Sequence, residues 1–376
     1  MDNKIFSQNV PLYSLAKWTN GLAYKDFHFS TTGIPIIKIA ELKNGITSQT
    51  QFTKDIFDES VRLNYDDLLF SWSGNPDTSI DIFRYRMNDG WLNQHIFKVI
   101  PQGVSKDYLF YLLKSLQPTF AYIASNKQTT GLGHVTIADL KRLNVNVHSI
   151  EEQQHIVDIL GSIDAKIENN ENQIDYFEST MEILFLQMLN NQADEWNKKS
   201  LTDIAEYTNG LAMQKYRPVG DFSLPVVKIR ELSQGAIDLN SEMADPSINK
   251  KFIIDDGDVI FAWSGTLLVK IWCGGKAGLN QHLFKVTSTQ YPLWFIYLWT
   301  KQHLKKFQNI AQGKAVTMGH IKREDLEKST VLIPSIEILN KYDDLIAPFY
   351  HKIVELRQGN RLLSNLKSLY LKQFFR

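Results

Sequence analysis

Between residues 150 and 189 the chain places Ile156, Leu160, Ile163, Ile167, Asn170, Ile174, Phe177, Met181, Leu184 and Met188 in steps that alternate four and three. That is the heptad spacing of a coiled-coil seam, and it predicts one long helix with a single stripe that seeks another helix. Ser149 stands at the N-cap position, and Glu151, Glu152 and Asp158 load the early turns with the negative charge that the helix dipole favours. Gly161 is the one weak helix former in the run. At 1.5 Å per residue the stretch makes a rod of roughly 57 Å, longer than a small domain is wide, so it acts as a spacer as much as a core element. Asn170 is the polar seam position, which costs stability and fixes register against a partner. Near the C-terminus Ile346, Phe349, Ile353, Leu356, Asn360, Leu363, Lys367, Tyr370 and Phe374 repeat the spacing, with Pro348 predicting a kink. Each rod is longer than its own domain can cover. The two are therefore expected to pair antiparallel, with a globular half at either end and an approximate two-fold axis between them.

The rest of the chain reads twice. Leu15-Ala16, Thr19-Asn20-Gly21-Leu22-Ala23, Ile36-Ile37-Lys38-Ile39 and Glu41-Leu42 return as Ile204-Ala205, Thr208-Asn209-Gly210-Leu211-Ala212, Val226-Val227-Lys228-Ile229 and Glu231-Leu232. Phe70-Ser71-Trp72-Ser73-Gly74 returns as Phe261-Ala262-Trp263-Ser264-Gly265, and Leu92-Asn93-Gln94-His95 as Leu279-Asn280-Gln281-His282. The order is kept and the offset is nearly constant, so this is an internal duplication. Apolar runs separated by Gly, Asn and Asp predict short strands, and 106–124 and 292–311 predict helices. The fold class that follows is mixed α/β: two tandem α/β domains separated by long helices that pair as an antiparallel coiled coil. The boundaries are 1–149 for the first domain, 150–190 for the central helix, 191–335 for the second domain and 336–376 for the distal helix.

Composition narrows the class. An apolar content of 43% and an aromatic content of 12% belong to a globular chain. Lys and Arg number 41 against 41 Asp and Glu, so a nucleic-acid site is a local face and not the whole surface. One cysteine, Cys273, excludes internal disulfides and multi-cysteine zinc sites, and it fits a reducing, cytoplasmic setting. The N-terminus has no signal-peptide pattern, and the most apolar window, 291–300, is too short to span a bilayer, so no membrane role is expected.

Comparison of the copies separates scaffold from readout. Residues identical in both halves cannot make the halves recognise different things; they hold the fold or touch something invariant, such as a phosphate. The halves differ most at 75–91 against 266–278, and at 24–35 against 213–225. These segments carry Lys25, His28, Asn75, Thr78, Arg84 and Arg86 in the first half and Lys215, Tyr216, Arg217, Lys270 and Lys276 in the second. Arg, Lys, Asn and Gln are the side chains that pair with base edges in a major groove, although a polar loop is also what solvent alone requires. Lys127 with His134, and Lys314 with His320, bracket a Gly-containing turn suited to a phosphate or to a purely structural role.

The remaining motifs take structural readings. Trp72 and Trp263 end apolar strands and are expected to pack between elements. Gln94-His95 and Gln281-His282 lack a second ligand at metal spacing, which favours a hydrogen-bonded structural histidine. There is no Walker loop, no nucleophile elbow, no His-Glu-x-x-His and no Asn/Asp-Pro-Pro-Tyr. The chain is therefore not expected to be an enzyme.

The order domain, long helix, domain, long helix, with the Trp-Ser-Gly and Leu-Asn-Gln-His motifs repeated, resembles the specificity subunit of Type I restriction-modification systems. The run Ser149-Ile150-Glu151-Glu152-Gln153-Gln154-His155-Ile156 is similar to that family's opening of its central helix, whereas the second copy, Pro334-Ser335-Ile336-Glu337-Ile338-Leu339, lacks the Glu-Gln pair. The resemblance implies two target recognition domains that read a bipartite, asymmetric site in double-stranded DNA, with the helices setting the unread gap. It implies two modification (methyltransferase) subunits that methylate adenine and restriction (endonuclease/translocase) subunits that cleave. S-adenosylmethionine, ATP and Mg are expected on those partners and no cofactor on this chain. The helix positions Ile156, Leu160, Ile163, Ile167, Asn170, Ile174, Phe177, Ile353, Leu356, Asn360 and Leu363 are expected to bind a partner. The rival from another class is a duplicated carbohydrate- or protein-binding module with no DNA role.

Overall fold

The computed structural model of the chain describes residues 6–24, 28–128, 131–190, 196–313 and 319–375. It resolves into two compact units, one of Met1–Asp164 with Leu366–Arg376 and one of Ala165–Asn365.

In the first unit a four-stranded antiparallel sheet runs in the order Ala16–Asn20, Ile96–Pro101, Leu68–Ser71, Asp81–Arg84. Beside it, Ile34–Ile37 pairs parallel with Gly90–Leu92, which pairs antiparallel with Arg62–Leu63. The helix Lys106–Ser115, capped by the Ser105 hydroxyl accepting from the Tyr108 N–H, covers the first sheet with Tyr108, Leu109 and Leu113 buried. The second unit repeats this plan. Its antiparallel sheet runs Glu206–Asn209, Leu283–Thr287, Val259–Ala262, Leu268–Ile271, and Leu224–Val227 pairs parallel with Ala277–Leu279. One long helix, Leu293–Gly313, takes the covering place and buries Trp294, Phe295 and Phe307.

The central helix is Ile150–Asn190 and the distal helix Ile336–Phe374, the latter continuing as helix through Pro348. The N-cap expected at Ser149 is present: its hydroxyl accepts from the Glu152 N–H at 3.3 Å. Gln153 is buried here, and its amide donates to the His148 carbonyl at 3.0 Å. The second copy places Leu339, also buried, at the corresponding turn, and Ser335 supplies the cap by accepting from the Ile338 N–H at 3.4 Å. A leucine leaves no amide to satisfy, so loss of the Glu-Gln pair costs the distal helix nothing at its start.

The two long helices pair antiparallel. In the second unit Asn170 Nδ2 donates to Asn360 Oδ1 at 2.7 Å, and Phe177 packs on Phe349 with ring centroids 5.4 Å apart. In the first unit Asp164 accepts from Lys367 Nζ at 2.5 Å, and His155 packs against Phe374. Ile156 and Leu160 lie in the first unit's core with Phe374, and Ile174, Ile353 and Leu356 in the second unit's core. Ile163 is buried as well, and Ile167 and Leu363 are half-buried. These residues were expected to bind a partner protein. Their partners within this chain are the other long helix and the domain beneath it. No helix among the described residues is long and apolar enough to cross a membrane.

Candidate nucleic-acid interface

The two repeated motifs fold against each other, and they do so identically in each unit. Leu22 bridges Asn93 and Leu211 bridges Asn280, in parallel. The main chains come so close that a Cβ on Gly21 would lie 2.2 Å from the Leu92 carbonyl oxygen, and one on Gly210 would lie 2.3 Å from that of Asn280. Only glycine fits there. Asn20 Oδ1 accepts from Trp72 Nε1 at 3.0 Å, and Asn209 Oδ1 from Trp263 Nε1 at 3.0 Å. The indoles stack on Phe97 and Phe284, with centroids at 5.5 and 5.6 Å. The packing role expected for both tryptophans is what the geometry shows.

On the outer side of each indole lies the Gln-His pair. Gln94 Nε2 is 3.1 Å from His95 Nε2, and Gln281 Nε2 is 3.4 Å from His282 Nε2. Asn93 and Asn280 hold each histidine from behind, their Oδ1 atoms accepting from the His95 and His282 N–H groups at 3.3 Å. The polar turn closes the patch, with Gly133–His134 pairing Ser73–Gly74 and Ser264 bridging His320. No group of three or more His, Cys, Asp or Glu that could hold a metal occurs among the described residues.

The variable segments leave from this platform, the first after Leu22-Ala23 and the second after Gly74, with the second unit repeating both departures. Their residues fall into two groups. His28 is 96% exposed, with its backbone N–H on Asp55 at 2.9 Å. Thr78, Lys215, Arg217 and Lys276 are exposed, and Tyr216 is 39% exposed. Asn75 is exposed, but its side-chain Oδ1 accepts from the Asp77 and Thr78 N–H groups at 3.0 and 3.1 Å, so its side chain shapes the turn. Arg86 is half-exposed over the Tyr65 ring and 3.4 Å from Asp66.

Three of the expected contact residues are engaged inside the fold. Arg84 is only 18% exposed; it reaches Asp107 at 2.7 Å and Asp66 at 3.4 Å and lies over the Phe110 ring. Burial is the largest single influence and works against its charge, yet the hydrogen bond and charge of Asp107 together with the charge of Asp66 outweigh it, and the guanidinium is held above its ordinary pKa. Lys127 is tied to both carboxylate oxygens of Asp139, at 2.5 and 2.6 Å, inside the capping box that starts the helix Ile137–Arg142. Lys270 donates to the Ser233 carbonyl at 2.6 Å and lines a cleft of about 610 Å³ beside Arg357 and Arg361, and burial lowers its pKa. All three cations have partners within the fold. Lys25 and Lys314 lie outside the described residues.

Val219 and Phe222, outside the hydrogen-bonding side chains expected to read bases, are 91% and 82% exposed in the second unit's variable segment that also holds Arg217. Apolar residues inside a polar, copy-specific segment were the available signal, since such groups suit a thymine methyl as Arg suits guanine.

Residues 8–176 and 193–361 each match the family described as Type I restriction modification DNA specificity domain. The chain is 24% identical to the Type I restriction enzyme MjaIX specificity subunit of Methanocaldococcus jannaschii over 313 residues, covering 74% of this chain and 70% of that one. It is 20% identical to the Type I restriction enzyme EcoBI specificity subunit of Escherichia coli over 421 aligned positions, covering 98% and 85%. The crystal structure of the S subunit of a Type I restriction-modification system from M. genitalium shares the fold, with a TM-score of 0.57 at 13% identity over 100% of this chain and 97% of that one. Two tandem copies of one domain, each with its paired long helix and the same motif platform, place this chain in the Type I restriction-modification DNA specificity family, as a non-catalytic specificity subunit.

Proposed function

We propose that this chain reads a bipartite, asymmetric site in double-stranded DNA and directs adenine methylation and DNA cleavage by partner subunits. The observation that carries the reading is the pairing of sameness and difference: one platform built twice, from which two segments of unlike length and composition leave in each unit. A protein that bound the same target twice would have no use for the difference, and one without a common target would have no use for the sameness.

In this reading two modification subunits and the restriction subunits assemble on the chain. They carry the S-adenosylmethionine, ATP and Mg. The paired seam is spent inside the chain, which leaves the outer helix faces, with Tyr176, Ile183, Leu362 and Leu369 exposed, to receive the modification subunits. The helix length sets the unread gap. The test is a genome-wide map of methylated adenine in cells with and without this gene. Loss of one split motif on deletion is the expected result, and retention of every motif in a strain with active partner subunits overturns the reading.

A further inference from the structure

Most of the residues shared by the two platforms are accounted for by the fold. Gly21 and Gly210 are required by the close main-chain approach. Asn20 and Asn209 anchor the indoles, and Asn93 and Asn280 hold the histidine backbone. The side chains of Gln94 and Gln281 have no such duty. Among the described residues the glutamine amide of each unit meets the neighbouring imidazole Nε2 alone, and His95 is itself exposed. A glutamine side chain that is half-exposed in both copies, held by an imidazole that itself packs on the tryptophan, is the part of the platform left to touch something invariant.

The chemistry of the pair defines what that is. With the imidazole proton on Nδ1, Nε2 accepts one amide N–H and the second remains. With the proton on Nε2, the amide presents its oxygen to the ring and both N–H groups remain. In the second unit Nδ1 is buried without a hydrogen-bond partner, which favours leaving the proton off it, since an orphaned N–H is the costlier case. Either way an uncharged N–H is left over at the root of the variable segments. Whatever those segments read lies against it, and the part of DNA that does not change with sequence is the sugar-phosphate backbone, to which glutamine is an ordinary donor.

We infer that Gln94 and Gln281, each oriented by the following histidine, donate to a backbone phosphate oxygen of the two half-sites and set the register from which the variable segments read bases. This rests on the DNA-reading function proposed above. The test uses the full chain assembled with its modification subunit, titrated against a cognate duplex and a scrambled duplex at several salt concentrations. Each of Gln94→Ala and Gln281→Ala is expected to weaken binding about tenfold on both duplexes alike, with the salt dependence unchanged because no charge is lost and with the methylated motif unchanged. Gln94→Lys and Gln281→Lys add a charge at the same place. Each is expected to tighten binding to both duplexes and steepen the log–log salt slope by about 0.9.

Wild-type affinity and slope in all four variants overturn the inference. So does a loss confined to the cognate duplex, or a loss of modification-subunit assembly with DNA affinity kept. A wild-type complex that binds neither duplex in a salt-dependent way overturns the DNA-reading function itself, which separates that failure from this one.

Discussion

Asn170 Nδ2 donates to Asn360 Oδ1 at 2.7 Å across the two long helices, and Asn170 is 3% exposed with its own Oδ1 buried and without a partner. A polar pair at a seam costs stability, but it has one register in which the two amides meet. Asn170→Leu leaves the Asn360 amide facing an apolar neighbour and is expected to lower stability by about 1–3 kcal/mol. Asn170→Leu with Asn360→Leu is expected to recover that loss or exceed it, at the expense of a defined register. Thermal melting of the two single variants and the double variant measures the coupling, and additive losses would remove the pair's role in register.

Arg84 and Arg217 make the complementary test of scaffold against readout. Arg84 sits between Asp66 and Asp107 over Phe110, so Arg84→Ala takes the cation from Asp107 and strips the cover from Phe110, while Asp66 keeps Lys106 and Arg86, and it is expected to cost about 1–2 kcal/mol of stability. The methylated motif should not change. Arg217→Ala or Phe222→Ala removes an exposed group and is expected to leave melting within about 0.5 kcal/mol of wild type while relaxing one half of the recognised site. Relaxation of both halves by either substitution would mean that the copy-specific segments are not the readers.

What was legible in the sequence is what local pattern encodes. The seam periodicity fixed the long helices because every fourth or third position faces the same way, and Asn170 stood out as the polar member of the central one. The duplicated motifs marked the platform because two copies of one strand order are visible without coordinates. The cations were illegible for a physical reason: a lysine or arginine is claimed by whatever carboxylate or carbonyl the topology brings to it. Asp107 reaches Arg84 from the covering helix, Asp139 reaches Lys127 from the next helix, and the Ser233 carbonyl reaches Lys270 from a helix 37 residues earlier in the chain. The surface role of Gln94 was hidden likewise, since only subtraction of the fold's own needs exposes it.

Asp256 predicts an acid limb in the stability of the second unit. Burial alone would raise its pKa, but hydrogen bonds from Arg361 at 2.8 Å, from the Gly275 N–H at 2.7 Å and from Gln358 at 3.0 Å hold it below the ordinary aspartate value of 3.8. A group whose folded pKa is depressed stabilises the fold fully above its unfolded value, and that contribution drains away as pH falls through the folded one. Wild-type melting temperature is therefore expected to drop below about pH 4 more steeply than that of Asp256→Asn, which should start lower at neutral pH. Parallel pH profiles for the two proteins would show that Arg361 does not anchor the distal helix through this carboxylate.

The length of the paired helices makes the last prediction. Residues 164/165 and 365/366 are where the two compact units divide, and no hydrogen bond or ion pair named above is lost by adding sequence there. Inserting one heptad after Asp164 and one after Asn365 keeps Asn170 opposite Asn360 and continues the seam spacing in both rods. At 1.5 Å per residue each rod grows by about 10 Å, which along B-form DNA is about three base pairs. Mapping methylated adenine in cells carrying this variant is expected to return the same bases in both halves of the motif, separated by a gap longer by that amount. An insertion in one helix alone should instead break the pairing and abolish methylation. If the double insertion keeps the original gap, the spacing is set by the partner subunits or by the domains, and the helices serve only to hold the chain together.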